Sequence, residues 1–169
     1  MIKTKEDLKK YISEDLAVNG LKKHKHNRLK RFLINYRKLE YHYNNQHKLR
    51  AFFRHLFDKI LQDEMKLFIP INVFGYGLRL LHPFVIVINK KSRVGNYCTV
   101  HHMVTIGNNK KNEDVAPKIG NNCFIGTGSS ILGNIVIGDN CTIGAGAVVT
   151  KSFGNNKTLA GVPAKEINN

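Results

Sequence analysis

The chain has 169 residues and three cysteines, which allows one packed domain or slightly more but excludes a disulfide framework. Its formal net charge of +15 predicts acidic partners, such as an anionic membrane surface or a phosphorylated substrate. Nothing matches a nucleic-acid-binding motif, so we expect no nucleic acid partner. A run of about 18 apolar residues and a leader pattern are both lacking, which predicts a cytoplasmic protein, with peripheral contact at the inner membrane face as an extension.

The first part of the chain, residues 1–67, is basic and has the periodicity of helices. Thr4 is a candidate N-cap, and the acidic residues after it suit a first helical turn. Two amphipathic stripes then place apolar residues at steps of three and four; they begin at Leu29 and at Leu49. The basic run from Leu21 to Arg31 forms either a solvated face or a contact with an anionic surface. We therefore predict a basic α-helical region over residues 1–67.

After Pro70 an aliphatic or aromatic residue recurs every six positions. The series comprises Phe74, Leu80, Ile88, Val94, Val100 and Ile106, and after a break Ile119, Ile125, Ile131, Ile137, Ile143 and Val149. Four positions later the side chain is often small, as at Cys98, Cys123 and Cys141, which predicts core positions at tight corners. A fixed period of this kind predicts short parallel strands wound into a triangular prism of stacked coils over residues 68–169.

Two segments depart from the period of six. Two extra residues lie between Leu80 and Ile88, and a longer insertion after Ile106 predicts a protruding loop. Counting through the first insertion places His82 and His102 at equivalent positions of neighbouring coils, about 4.8 Å apart, whereas His101 projects differently. Two stacked histidines beside a loop indicate a site; the alternative is that His82 only shapes the corner before the following proline.

Residues 68–167 resemble the hexapeptide-repeat acyltransferases, and most of all the serine acetyltransferase branch. The resemblance lies in the segments GYGLRLLHPFVIVI, VTIGN…APKIGNN and ILGNIVIGDNCTIGAGAVVTKS…AGVPAKEI. It implies a mainly β fold, a left-handed parallel β-helix with a helical N-terminal region. The helical first third resembles compact variants found among capsule and exopolysaccharide O-acetyltransferases.

The resemblance also implies a mechanism and a set of site residues. His82 matches the catalytic base, which takes a proton from the acceptor hydroxyl as that hydroxyl attacks the thioester of acetyl-CoA. Acetyl-CoA is the implied acyl donor, no metal is required, and the cofactor groove lies between two prisms of a homotrimer. The residues that match this groove, or could hold the CoA phosphates, are Gly107, Asn108, Thr127, Ala145, Lys151 and Lys165.

Three features that hold serine in that branch are missing. The acidic residue fifteen positions before His82 is replaced by Leu67, and the acidic residue directly before it by Leu81. An Arg-His pair ahead of the re-entry proline is replaced by Val115 and Ala116. From these departures we expect that the acceptor is a sugar hydroxyl of a surface polysaccharide, or its lipid-linked precursor, and not free serine.

The adjacent pair His101 and His102 stands where the serine enzymes carry a non-histidine pair. We expect one of the two to orient His82 or to bind the acceptor, with stacking favouring His102. The main alternative is a serine O-acetyltransferase of cysteine biosynthesis. Two further alternatives are a γ-carbonic-anhydrase-like metal enzyme, with His82 as a third ligand, and a non-catalytic scaffold.

Overall fold

The computed structural model describes residues 1–109 and 115–167 and begins with three helices. These are α1 (Lys5–Val18), α2 (Arg28–Asn44) and α3 (Lys48–Met65). Thr4 caps α1 as predicted: its hydroxyl accepts a hydrogen bond from the Asp7 amide, and the Asp7 carboxylate accepts one from the Thr4 amide, each at 3.0 Å. This reciprocal pair satisfies two amides that a helix start leaves unpaired. Within the described residues, no helix is long and apolar enough to span a membrane.

Short strands follow the helices, as the repeat predicted. In the described part of the chain they are β1 (Leu67–Phe68), β2 (Arg79–Leu81), β3 (Ile86–Ile88), β4 (Arg93–Val94), β5 (Thr99–His101), β6 (Thr105–Gly107), β7 (Lys118–Ile119), β8 (Phe124–Ile125), β9 (Ser130–Leu132), β10 (Val136–Ile137), β11 (Thr142–Ile143), β12 (Val148–Val149), β13 (Thr158–Ala160) and β14 (Lys165–Glu166). The predicted boundary between residues 67 and 68 falls inside β1.

The strands form three sheets, which are the faces of a prism. Face A holds β1, β3, β6, β9 and β12, face B holds β4, β7 and β10, and face C holds the remaining strands. Strands of successive coils pair in parallel, and only the terminal pair β13–β14 is antiparallel among the described pairings. The fold is the prism of stacked coils that the repeat predicted and the left-handed parallel β-helix that the resemblance implied, with the apolar residue of each hexad turned into the interior.

The three cysteines form a ladder along the corner between faces B and C. Cys98, Cys123 and Cys141 are each 1% exposed and make no disulfide. Each thiol donates to a carbonyl oxygen of the following coil at 3.1–3.2 Å. The predicted core role is therefore confirmed, because these positions require a small side chain that can bury its sulfur against backbone.

A buried charge cluster joins the helices to the first coil. The Arg37 guanidinium lies 2.7 Å from Asp15 and 2.9 Å from Glu40, and all three side chains are at most 2% exposed. It also donates to the carbonyls of Phe74 and Gly75 at 3.0 and 2.6 Å. The helical region thus covers one end of the prism, and Arg37 donates to two backbone carbonyls of the first coil that would otherwise have no partner there.

The ionisation of this cluster follows from its burial. Burial raises the pKa of Asp15, although the charge of Arg37 opposes that effect. Burial by itself would lower the pKa of Arg37. The negative charges of Glu40 and Asp15 have the larger effect, and the pKa of Arg37 is raised. Arg37 therefore remains a cation held by two carboxylates. Removing any one of the three side chains would leave a buried charge without its partner, which is strongly destabilising.

Asn19, at the end of α1, covers the exposed edge of face C. Its side-chain amide donates to the carbonyl of Leu78 at 2.8 Å and accepts from the amide of Leu80 at 3.0 Å. Since β2 stands at the end of its sheet, this amide takes the place of a missing neighbouring strand. The contact fixes the strand that leads directly into His82.

Candidate active site

The corner between faces C and A carries a predicted site residue in each of four successive coils. The strand register aligns Leu80, Val100, Ile125 and Ile143. The residues two positions later therefore form one column, which we call the histidine edge: His82, His102, Thr127 and Ala145.

His82 and His102 lie one above the other on the histidine edge. Their ring centroids are 6.4 Å apart and their planes are inclined at 82°. The predicted placement of both histidines in one column, across the two-residue insertion, is confirmed, although the rings meet edge to face and lie farther apart than the predicted 4.8 Å, which is about one strand spacing. His82 is exposed and has a left-handed backbone, with φ of 49°, immediately before Pro83. A non-glycine residue rarely adopts this conformation, and it turns the imidazole out of the prism at the corner.

His101 projects away from this column, as expected. It pairs with Leu81 in face C, and its ring packs 5.0 Å from the ring of Phe124. Burial, together with the neighbouring charges of His102 and His82, lowers the pKa of His101. The lowered pKa favours the neutral form of the ring. The catalytic role of His101 stays a prediction.

Thr127 contacts His102 directly. Its Oγ1 lies 2.7 Å from Nε2 of His102 and 3.2 Å from the His102 carbonyl oxygen. The other ring nitrogen, Nδ1, is buried and has no hydrogen-bond partner among the residues that the structure describes. Sequence reasoning placed Thr127 in the cofactor groove and missed this contact. The available signal was that Thr127 occupies the same position of its hexad as both histidines.

The residues predicted to bind acetyl-CoA do not come together within one chain. Thr127 and Ala145 lie on the histidine edge, whereas Gly107, Asn108 and Lys151 lie at the other end of face A. The two groups lie at opposite ends of the strands of face A. A strand of three residues, at about 3.3 Å per residue, separates them by about 10 Å.

The two predicted phosphate-binding lysines have different surroundings. Lys151 places its Nζ 5.3 Å from the centre of the Phe153 ring. Lys165 lies on β14, opposite Ala160 of β13. Both are exposed, so both remain accessible to a phosphate, and their roles stay predictions.

We call the corner between faces A and B the basic edge. A cavity of about 650 Å³, the basic cavity, opens there. Its described lining comprises Tyr43, Pro70, Ile71, Asn72, Lys90, Lys91, Arg93, Val115, Ala116, Lys118 and Asn134. Four of these residues are cationic and none carries a carboxylate. Arg93 and Lys118 are register partners on the neighbouring strands β4 and β7. The Arg93 guanidinium donates to the carbonyl oxygens of Lys90 and Ser92 at 3.1 and 2.7 Å, which holds it at this corner.

This basic cavity was missed in the sequence. The insertion after Ile106 breaks the hexad phase between Lys91 and Lys118, so their proximity could not be counted from the period. The protruding loop predicted for this insertion includes residues 110–114, which lie outside the residues that the structure describes. The same cavity contains Val115 and Ala116, where the serine acetyltransferase branch would carry its Arg-His pair. The positive charge that those two positions lack is therefore present on strands beside them.

The alternative of a metal enzyme required three converging ligands. Over residues 1–109 and 115–167, no three His, Cys, Asp or Glu side chains are placed to hold a metal ion. His101, which that alternative would need, rests against Phe124.

The fold and the repeat resemble those of hexapeptide-repeat transferases over part of the chain. Residues 116–151 match the profile of the family described as "Bacterial transferase hexapeptide (six repeats)".

Curated relatives of this chain are serine acetyltransferases. Serine acetyltransferase 3, mitochondrial, of Arabidopsis thaliana is 43% identical over 99 residues, covering 58% of this chain and 25% of that protein. The Synechococcus elongatus enzyme is 37% identical over 94 residues, covering 55% and 38%. The chain therefore spans well under half the length of these relatives.

Solved structures of serine acetyltransferases superpose on almost the whole chain. The Neisseria gonorrhoeae enzyme gives a TM-score of 0.80 at 29% identity, covering 98% of this chain and 68% of that one. The Brucella abortus enzyme in complex with coenzyme A gives 0.78 at 26% identity, covering 96% and 68%. The likeness includes the helical region as well as the prism.

The expectation of a polysaccharide acceptor is wrong. The relatives and structural neighbours described above are serine acetyltransferases, and they point to serine as the acceptor and not to a polysaccharide. The expectation rested on charges missing at Leu67, Leu81, Val115 and Ala116. The lack of charge at those positions shows only that these four residues make no charged contact with the acceptor. Cationic groups are available on other strands, in the basic cavity.

Proposed function

We propose that this chain is an O-acetyltransferase that transfers the acetyl group of acetyl-CoA to the hydroxyl of serine. The observation that carries the proposal is the placement of His82. It matches the catalytic base of the serine acetyltransferase branch, and it stands exposed at a corner of a prism that superposes on those enzymes. The relatives' names supply the acceptor, and the geometry is consistent with a base that reaches an incoming hydroxyl.

The proposed reaction is a direct transfer. A neutral His82 imidazole accepts the proton of the serine hydroxyl while the oxygen attacks the thioester carbonyl. The C–S bond then breaks, and the proton passes to the departing CoA thiolate, which leaves as the thiol. A positioned base contributes about 10² to 10⁴ in rate. The negative charge on the carbonyl oxygen requires donors, for which backbone amides of the corner are suited.

A homotrimer is part of the proposal. His82 lies on the histidine edge, whereas the basic cavity lies on the other edge of face A. One chain cannot present both to a small substrate, but two prisms packed side by side can face one edge to the other. The same packing would unite Thr127 and Ala145 of one chain with Gly107 and Asn108 of the next, forming a groove long enough for the pantetheine arm.

The acceptor contacts differ from those of the serine acetyltransferase branch. A serine carboxylate needs a cation, and Val115 and Ala116 provide none. Arg93 and Lys118, in the same cavity, would supply that charge. The substrate pocket thus keeps its electrostatic character while its charges come from different strands. Cytoplasmic location and contact with an anionic membrane surface stay predictions.

The test is release of the free CoA thiol from acetyl-CoA by the full chain. L-serine, glycerol, glucose and no acceptor are compared at equal concentration, and O-acetylserine is identified by mass spectrometry. We expect release with serine that exceeds each of the other three at least tenfold. Equal rates with and without serine would refute the proposed acceptor, and failure to bind CoA would favour a scaffold.

A further inference from the structure

Helix α3 carries a stripe of apolar side chains on its outer side. Leu49, Phe53, Leu56 and Ile60 follow one another at steps of four, three and four, which places them on one side of the helix. Phe52 lies beside them, with its ring centre 5.7 Å from that of Phe53. All five side chains are exposed, from 46% for Leu56 to 71% for Leu49. We call these five residues the outer stripe.

The opposite side of α3 already holds the helix in the molecule. Leu61 and Met65 are buried in the core, and Phe57 packs against it. The outer stripe is therefore not needed to fix α3 within one chain. A helix that is apolar on two opposite sides is typical of one that is covered on both. Contiguous exposed apolar side chains with a polar border indicate an interaction surface.

Cations border the outer stripe on both sides. Lys48 and Lys59 follow one border on α3 and Arg50 lies at the other, and all three are exposed. Helix α2 adds Arg31, whose guanidinium lies 5.5 Å from the centre of the Phe57 ring, on the same side as Arg50. The helical region as a whole has 17 Lys and Arg residues against 8 Asp and Glu residues. The outer stripe thus presents aromatic and aliphatic side chains within a positively charged border.

The charge of this border selects the partner. Two acidic residues, Asp63 and Glu64, lie near the C-terminal end of the stripe, and Glu64 already pairs with Arg28 at 3.7 Å. A second copy of the chain would meet the stripe with the same excess of cations, which is unfavourable. An anionic bilayer supplies the opposite charge to the border and an apolar phase to the stripe. Charge complementarity therefore favours a lipid surface over a second copy.

We propose that the outer stripe is a membrane-docking surface, on which α3 lies in the plane of an anionic bilayer. Phe52 and Phe53 would enter the upper part of the acyl chains, and the cations of the border would contact the lipid phosphates. The helix has 18 residues, or about 27 Å at about 1.5 Å per residue, and its charged borders hold it at the interface. The inference does not depend on the acetyl acceptor, because the surface lies on the helical region and His82 on the prism.

The first test is co-sedimentation of the full chain with vesicles of phosphatidylcholine, with and without phosphatidylglycerol. We expect at least tenfold more bound protein on the anionic vesicles, and at least a fivefold loss in the double variant Phe52→Ser, Phe53→Ser. Val136→Ser, 53% exposed on the prism, is the matched control and should bind like the wild type. Lys59→Glu should also weaken binding, whereas Lys157→Glu should not. Binding that the double variant retains would place the contact elsewhere and overturn the proposal.

The second test measures insertion directly. The chain contains no tryptophan, so Phe53→Trp provides a single fluorescent reporter in the outer stripe. Anionic vesicles should shift its emission to the blue and brominated lipids should quench it, while Phe124→Trp, exposed on the prism, should show neither change. Emission from Phe53→Trp that brominated lipids leave unquenched would overturn the proposal. So would a wild type that ignores vesicles and loses assembly mass in light scattering when the double variant is made, since a second copy would then cover the stripe. Neither test measures acetyl transfer, so both results stand even where the proposed function fails.

Discussion

The rings of His82 and His102 lie next to each other in successive coils, with centroids 6.4 Å apart. They align although the coil between them is two residues longer than the regular repeat. The insertion is absorbed at the corner, where His82 and Val85 both adopt left-handed backbone conformations. The strands on either side therefore keep their register, and the exposed imidazole of His82 is displayed above a half-buried one. This pair is the centre of the proposed site.

The lowered pKa of His101 predicts how stability depends on pH. Its folded pKa lies below the unfolded value of about 6.5, so the unfolded chain binds more protons as the pH falls. The neutral ring contributes stability that is fully present above about pH 6.5 and is lost on acidification toward the folded pKa. His101→Gln should therefore reduce the drop in unfolding free energy between pH 7.5 and pH 5, measured by urea denaturation. An unchanged drop would show that His101 titrates normally.

The buried cluster of Arg37, Asp15 and Glu40 predicts a large stability effect. Arg37→Met leaves two buried carboxylates without their cation, which should cost about 3–5 kcal/mol of unfolding free energy. The control is Arg28→Gln, which removes an exposed ion pair with Glu64 and should cost less than about 1 kcal/mol. Urea denaturation measures both. Equal costs for the two variants would mean that the cluster does not anchor the helices.

The cysteine ladder predicts chemical inertness. Because Cys98, Cys123 and Cys141 are each 1% exposed, the native protein should react with a thiol reagent far more slowly than the denatured protein. Absorbance assays with Ellman's reagent, with and without 6 M urea, measure the difference. Rapid reaction of the native protein would place at least one of these thiols outside the core.

Assembly gives a further prediction. If the histidine edge of one chain faces the basic edge of the next, the protein is a trimer at micromolar concentration. Light scattering coupled to size-exclusion chromatography should give three times the monomer mass, 19.2 kDa. Arg93→Glu, at the basic edge, should reduce the apparent affinity for serine more than Lys157→Glu, which lies elsewhere on the surface. A monomer that still transfers acetyl would contradict the shared site.

Much of the fold follows from the spacing of residues in the sequence. A period of six fixes which residues face inward, so the core rows, the cysteine ladder and the column of His82 and His102 can be found by counting. The partner of His102 could not be found in this way. Thr127 belongs to the same column, but the hydrogen bond depends on how two side chains of adjacent coils turn toward each other.

The acceptor could not be predicted for a different reason. The sequence shows that acidic or basic groups are missing at Leu67, Leu81, Val115 and Ala116, but it does not show what replaces them. The cations that we propose as replacements, Arg93 and Lys118, lie on strands before and after the insertion that follows Ile106, where the repeat loses its phase. Reading a loss of charge as a change of substrate class led to the wrong acceptor.

The central claim is that His82 is the base that makes serine an acetyl acceptor. The most direct measurement is transfer of isotopically labelled acetyl from acetyl-CoA to serine by the wild type and by His82→Ala, with CoA affinity determined by calorimetry for both. The account predicts that His82→Ala loses at least 99% of the transfer and binds CoA within about twofold of the wild type, while His24→Ala, on the helical surface, changes neither. A His82→Ala protein that retains more than a tenth of wild-type transfer would contradict it.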